Sequence, residues 1–200
     1  SLKTKLTALD SFQGESRPNG RSQLKGIVGL PLIEDGRTAY AGKIQWLKPT
    51  LAHVYTTNHL PHTTNYYAIG GGVAIHKDVF EKIGFWDEKY FLYFEDADFS
   101  LRARKAEIPV SIAQDIMIYH NISSTTKKLG SSLLLRYHYR NALHFNLKNG
   151  PWYIKLLVWS WSWWIILKQV LKVMIYHNRE QSSAILAGIF DFYINKMGKI

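Results

Sequence analysis

Three carboxylates, Glu95, Asp96 and Asp98, fall within four positions of one another in the run Phe91-Leu-Tyr-Phe-Glu-Asp-Ala-Asp-Phe-Ser-Leu-Arg102. Acids crowded against aromatic residues repel one another and lose hydration, so they persist where a positive group, a cation or a proton-transfer task uses them. Beyond Glu95, Ala97, Leu101 and Ala103 set against Arg102, Arg104 and Lys105 fit a helix of about three turns. The acids then occupy its N-terminus and the bases its C-terminus, as the helix dipole favours. There the dipole and the free amides keep a carboxylate ionised while its acidic neighbour pushes the other way. That balance suits a general base taking a proton from a hydroxyl. An acidic N-cap with no chemical task fits the same residues.

Two metal patterns compete with the proton-transfer reading. Asp96-Ala-Asp98-Phe-Ser100 begins like a calcium loop, and Glu107 falls at the twelfth position, but Leu101 stands where the sharp turn needs Gly, so that pattern fails. Asp96-x-Asp98 after an apolar run also fits a strand-end pair holding a divalent ion on a diphosphate, and it is the only Asp-x-Asp in the chain. His120 closes the apolar run Ile116–Tyr119, where an imidazole suits either a metal or an ordinary hydrogen bond. His59 and His62 have no further ligands near them. The chain has no Gly-rich phosphate loop, no Gly-x-Ser-x-Gly elbow and no His-Glu-x-x-His.

The elements that must position these groups read as α/β. The polar residues 1–25 suggest a helix end and a loop. Gly26-Ile-Val-Gly-Leu-Pro-Leu-Ile33 reads as one short buried strand, stopped by the turn signal Glu34-Asp-Gly36. Ala39–Leu47 suits a second strand, followed by a connection over residues 48–65. Asn65–Ile69 has strand propensity, and Gly70, Gly71 and Gly72 break it before Val73–Ile75, as a bulge or as a close approach of backbone or ligand would require. A short helix follows, with Asp78 in its first turn, Val79, Phe80 and Ile83 on one face, and Gly84 as its stop. Pro109 marks the exit of the acidic helix, and Ile116–Tyr119 reads as a strand. Helices are expected from about Ser132 to Leu147, over Trp152–Tyr176 and over Ser182–Ile194.

Two hundred residues with 46% hydrophobic content suffice for one core, and the absence of cysteine excludes disulfides and thiolate metal sites. With no initiator Met and no signal-peptide pattern, the chain is expected to be part of a longer, non-secreted protein. Charge is placed unevenly: residues 1–120 hold 14 Lys/Arg against 13 Asp/Glu, and residues 121–200 hold 11 against 2. Five of the seven tryptophans lie in Trp152–Trp164. A basic, Trp-rich end suggests an anionic surface, lipid headgroups or nucleic acid, and Trp beside an apolar run favours the membrane interface. A helical subdomain with a basic solvent face fits equally. The longest uncharged run, Leu156–Leu167, is twelve residues and too short to span a bilayer. Lys155, Ser162 and Gln169 recur at heptad spacing as a weak polar stripe, which points to an interfacial or core-packed helix.

The order of these pieces resembles the family 2 glycosyltransferases, especially the rhamnosyltransferase-like and galactofuranosyltransferase-like members. The matching text is Gly70-Gly-Gly-Val-Ala-Ile-His-Lys-Asp-Val-Phe80, Ile83-Gly-Phe-Trp-Asp-Glu88, Phe91–Arg102, Ile118-Tyr-His120 and Arg136-Tyr-His-Tyr-Arg-Asn141. The resemblance implies a partial GT-A fold, an acceptor-side mixed sheet with helices over residues 26–122. A loop and helix over 123–150 would complete it, and basic Trp-rich, membrane-leaning helices would follow over 151–200. It implies inverting transfer from a nucleotide-diphosphate sugar, with rhamnose suggested, to a saccharide or lipid-linked acceptor in cell-surface polysaccharide synthesis. On that pattern Asp96 is the general base, and Glu95 and Asp98 shape the site. Gly70, Gly71, Gly72, Trp86 and Asp87 form the acceptor-side wall. His120 helps ligate a divalent cation, Mg or Mn. The family's nucleotide-binding half, with its own Asp-x-Asp, is not in this text, so the chain alone is expected to be inactive. The resemblance further implies a peripheral place at the cytoplasmic face of a membrane, with no nucleic-acid partner. The other readings are a non-catalytic membrane- or nucleic-acid-binding module, and an inactive glycosyltransferase relative.

Overall fold

A computed structural model describes residues 26–34, 36–57, 65–113, 115–119 and 131–200. The expectations for residues 1–25, for His59 and His62, for His120 and for the loop at 123–130 lie outside the described residues. The described part is mixed α/β, with small sheets and five helices, and divides into two compact units.

The first unit comprises residues 26–42, 53–85 and 99–119. β1 (Ile27–Gly29) runs between β7 (Val73–Ile75), antiparallel with Ile27 opposite Ile75, and β8 (Val110–Ile112), parallel with Ile27 opposite Val110. β2 (Leu32–Glu34) lies between β3 (Arg37–Ala39), antiparallel, and β9 (Ile118–Tyr119), parallel. β4 (Ala41–Lys43) is flanked by β5 (Ala52–Val54) and β6 (Tyr66–Tyr67). Three expectations change here. The strand expected over Ala39–Leu47 is only β4, Ala41–Lys43, with Ala39 ending β3. The single strand over Gly26–Ile33 is two strands in different sheets. Pro31 has no N–H to give a ladder, while Leu30 N–H turns to the Gly72 carbonyl at 2.8 Å and the Pro31 carbonyl takes Ile118 N–H at 2.9 Å. The connection expected at 48–65 contains β5, whose short, half-exposed pattern hides among His and Thr.

The short helix α1 (Lys77–Ile83) begins where His76 Nδ1 accepts from Asp78 N–H and ends where Gly84, at φ 73°, donates to the Phe80 carbonyl. A core of Ile27, Ala68, Val79, Phe99, Ala103 and Ile108 joins it to the sheet and to the C-terminal turns of α2 (Glu95–Lys105). The boundary between the units falls inside α2, after Asp98.

The second unit comprises residues 43–52, 86–98 and the helices α3 (Ser131–Asn149), α4 (Trp152–Met174) and α5 (Arg179–Tyr193). α3 and α5 touch backbone to backbone: a Cβ on Gly188 would lie 2.4 Å from the Arg136 carbonyl oxygen. Arg136 clamps the buried Asp191 through Nε at 2.6 Å and Nη2 at 3.0 Å. Leu143, Val158, Ile165, Ile185 and Ile189 fill the space between the three helices. The weak polar stripe of α4 divides: Lys155 is exposed, whereas Ser162 and Gln169 are buried, with Ser162 Oγ 2.7 Å from Tyr193 Oη. The opposite face is apolar and open, with Trp152 74%, Trp163 66% and Met174 68% exposed. Among the described residues no helix is long and apolar enough to cross a membrane.

Candidate functional site

The second unit alone assembles Trp86, Asp87, Glu95, Asp96 and Asp98 around the first turn of α2. The chain enters that turn through an unusual backbone. Phe91, Tyr93 and Phe94 have φ of 61°, 66° and 74°, the left-handed region in which a side chain crowds its own carbonyl. Such residues cost about 1–3 kcal/mol each and persist where the surroundings over-determine them.

α3 supplies those surroundings, and its side chains grip the segment in register. Asn141, fully buried, donates its amide to the carbonyls of Tyr90 at 2.9 Å, Leu92 at 2.6 Å and Tyr93 at 3.2 Å. Buried Arg140 donates to the Tyr90 carbonyl at 3.2 Å and the Lys89 carbonyl at 3.5 Å. Tyr137 stacks on Phe91 at 5.5 Å, His138 on Tyr93 at 3.8 Å, and Phe145 meets Phe94 at 5.3 Å. Burial holds the His138 imidazole down to about 4, against a weaker opposing hydrogen bond at Pro49, so that ring stacks as a neutral imidazole at pH 7.

The three acids end in three different environments. Asp98 is fully buried (0% exposed) and is bound on both oxygens: Lys148 Nζ lies 2.9 Å from Oδ1 and 3.0 Å from Oδ2. Asn149 Nδ2 donates to it at 2.7 Å and Tyr90 Oη at 3.3 Å. Asp98 therefore anchors α2 from within. Lys148 also reaches Asp87 Oδ2 at 2.8 Å. Burial alone would raise the Asp87 carboxyl, but the bonds from Lys148 and from Lys89 N–H outweigh it and hold Asp87 below the usual range. Asp96, partly exposed, accepts from Ala97 N–H at 2.8 Å at the open end of the helix.

Glu95 is the exception. Its Oε2 is buried with no hydrogen-bond partner among the described residues. Burial first, and the Asp96 charge second, push its carboxyl from an ordinary 4.5 up to about 7. The folded protein thus holds this proton more tightly than the unfolded chain does, and stability falls as pH rises through that window. Glu95→Gln is expected to leave stability near pH 4 almost unchanged and to raise it near pH 8 by up to about 3 kcal/mol. Urea denaturation at the two pH values checks this, and an equal effect at both would refute a buried proton.

Gly70, Gly71 and Gly72 belong to the first unit. Gly70 and Gly71 are exposed, whereas a Cβ on Gly72 would come within 2.8 Å of Leu32 and 3.0 Å of the Leu30 carbonyl. Close backbone packing accounts for that third glycine. His120, the expected metal ligand, lies outside the described residues. Among the described residues no three His, Asp or Glu side chains converge as a cation would need, and both Asp98 oxygens are already engaged. The described acids do not fit a metal centre by themselves.

Lys148, Asn149, Tyr90 and His144 were not expected at the site. One signal for Lys148 and His144 exists in the sequence: Tyr137, Asn141, His144 and Lys148 recur three or four apart, a polar line along one side of the helix.

Comparison with known proteins finds a partial likeness. Over 75 residues the chain is 32% identical to a low-salt glycan biosynthesis hexosyltransferase of Haloferax volcanii. The match covers 38% of this chain and 24% of that protein's length. No family model matches the chain, and no solved structure does. What the likeness supports is glycosyl transfer in general terms, as the activity of the similar protein.

Proposed function

We propose that this chain is the acceptor-side portion of an inverting glycosyltransferase of the family 2, GT-A type. The reading rests on one observation above all: a carboxylate pair on the first turn of α2, delivered by a left-handed segment that buried side chains of α3 hold in place. In the proposed reaction the Asp96 carboxylate takes the proton of an acceptor hydroxyl. The freed oxygen attacks the anomeric carbon of a nucleotide-diphosphate sugar, and the bond from that carbon to the diphosphate breaks with the electron pair leaving on phosphate. Asp98 and Lys148 position the turn and do not touch the reacting atoms. A divalent cation, Mg or Mn, would neutralise the departing diphosphate when bound. Its ligands would be His120 and residues beyond those described.

The test is transfer by the complete protein from a panel of nucleotide-diphosphate sugars, a rhamnose donor included, to saccharide and lipid-linked acceptors. We expect a product of inverted anomeric configuration by NMR. A retained configuration rules out the single-displacement mechanism, and no transfer from any donor rules out the reaction.

The same reading puts the protein at a membrane surface, at the cytoplasmic face. The supporting observation is the open face of α4, where Trp152, Leu156, Trp163 and Leu167 lie exposed along a helix about 35 Å long that also exposes Lys155 and Lys168. Flotation with phosphatidylcholine vesicles containing phosphatidylserine is expected to capture the protein. Binding should weaken in high salt and be lost in the double variant Trp163→Gln, Leu167→Gln. Capture that ignores both the variant and the salt would refute this face as the contact.

A further inference from the structure

The segment that follows α5 returns to the carboxylate turn and is fastened there. Gly198 N–H donates to the Lys89 carbonyl at 2.8 Å. Arg140 donates to the Gly198 carbonyl at 2.8 Å and the Lys196 carbonyl at 3.3 Å, and Ile200 N–H donates to Tyr137 Oη at 2.8 Å. Arg140 is the same guanidinium that holds the carbonyls of Lys89 and Tyr90. One fully buried cation therefore sets the distance between the carboxylate segment and the segment 195–200.

Between them lies an open cleft of about 680 Å³, lined by Trp86, Phe91, Glu95, Asn195 and Lys199 among others. Its volume falls within the roughly 300–1,000 Å³ of small-molecule sites. Trp86 and Phe91 present 37% and 46% of their surfaces. Lys199 Nζ sits 5.9 Å from the centre of the Phe91 ring. The exposed parts of these two aromatic rings offer the apolar side of a pyranose a place to pack, and the Asn195 amide offers both a donor and an acceptor to its hydroxyls. Glu95 brings to the same cleft a buried oxygen that lacks a hydrogen-bond donor among the described residues. Two acids and two lysines, Glu88, Glu95, Lys89 and Lys199, share the lining, which suits a neutral, hydroxyl-rich ligand better than an anion.

We propose that the segment 195–200 forms one wall of a saccharide subsite, with the sugar ring packed against Trp86 and Phe91 and hydroxyls bonded to Asn195 and Glu95. The inference rests on the acceptor-side reading above and extends it to residues at the far end of the chain. Asn195, held at φ 55°, and Lys199 act there as specificity residues.

Saturation-transfer NMR on the complete protein, with methyl hexopyranosides and their disaccharides as probes, reads the contact without requiring turnover. At least one probe should show saturation of its ring protons. Its affinity should fall about tenfold in Asn195→Gly, which keeps the left-handed backbone but removes the amide. It should fall further in Trp86→Ala, while Lys199→Met, which keeps the stem over Phe91, should change which probe is preferred. Saturation of no probe, or affinities unchanged in both Asn195→Gly and Trp86→Ala, overturns the subsite. Binding that follows the variants in a protein that transfers no sugar would keep the subsite and overturn the reaction.

Discussion

If the proposed reaction holds, Asp96→Asn is expected to reduce glycosyl transfer by the complete protein about 100- to 10,000-fold, the range that a positioned general base contributes. The substitution is nearly isosteric. An amide oxygen can still accept from Ala97 N–H, the bond that seats Asp96 at 2.8 Å on the helix end, so the turn should keep its shape. What disappears is the capacity to take a proton. Donor affinity should therefore stay near wild type while turnover collapses, and the melting temperature should barely move. Glu95→Gln provides the contrast, since an amide can still donate to and accept from a ligand hydroxyl. Its loss should be smaller and should appear mainly in acceptor KM. Wild-type turnover in Asp96→Asn would remove the base assignment, whatever the other variants do.

Lys148→Met should be a strongly damaging change to stability, at about 3–5 kcal/mol, because it takes from a buried carboxylate the cation bound to both of its oxygens. The flexible stem of Met replaces most of the Lys volume, so packing is not the issue. Asp98, with no exposed surface, keeps the bonds from Asn149 and Tyr90 but loses the ammonium that lies 2.9 and 3.0 Å from its two oxygens. Asp87 retains Lys89 N–H at 3.0 Å and is better placed to be solvated. Adding Asp98→Asn to Lys148→Met should restore much of the loss, since the buried charge then goes with its partner. Chemical denaturation of the four proteins of this cycle measures the coupling. A cost under about 1 kcal/mol for Lys148→Met would mean that the pair behaves like a surface ion pair.

The local features of the fold were readable from the residues. Gly84, Pro109 and the separation of acids from bases delimit α1 and α2, because caps and charges act within one turn. Sheet membership was not readable. β1 and β2 are three residues each, joined by Leu30-Pro31, and the switch between sheets at Pro31 depends on the carbonyl of Gly72 and on the N–H of Ile118. Helix periodicity shows which residues of α3 share a face, but not that they meet a segment about fifty positions earlier. The stripe on α4 pointed to an interfacial or core-packed helix, and its inner face does pack in a core. Ser162 and Gln169 are polar groups that a helix hairpin buries by pairing Ser162 with Tyr193, and this leaves the larger apolar face outside.

The register between α3 and the carboxylate segment bears on how such a protein can vary. Each residue inserted into a helix turns everything beyond it by about 100° and shifts it about 1.5 Å. One extra residue between Asn141 and Lys148 would leave Asn141 on its three carbonyls while swinging Lys148 and Asn149 away from Asp98. Length changes in either partner are therefore closed to gradual evolution. Anyone moving this site to another scaffold would have to carry residues 86–98 and 137–149 together, as one cassette drawn from two distant stretches of chain.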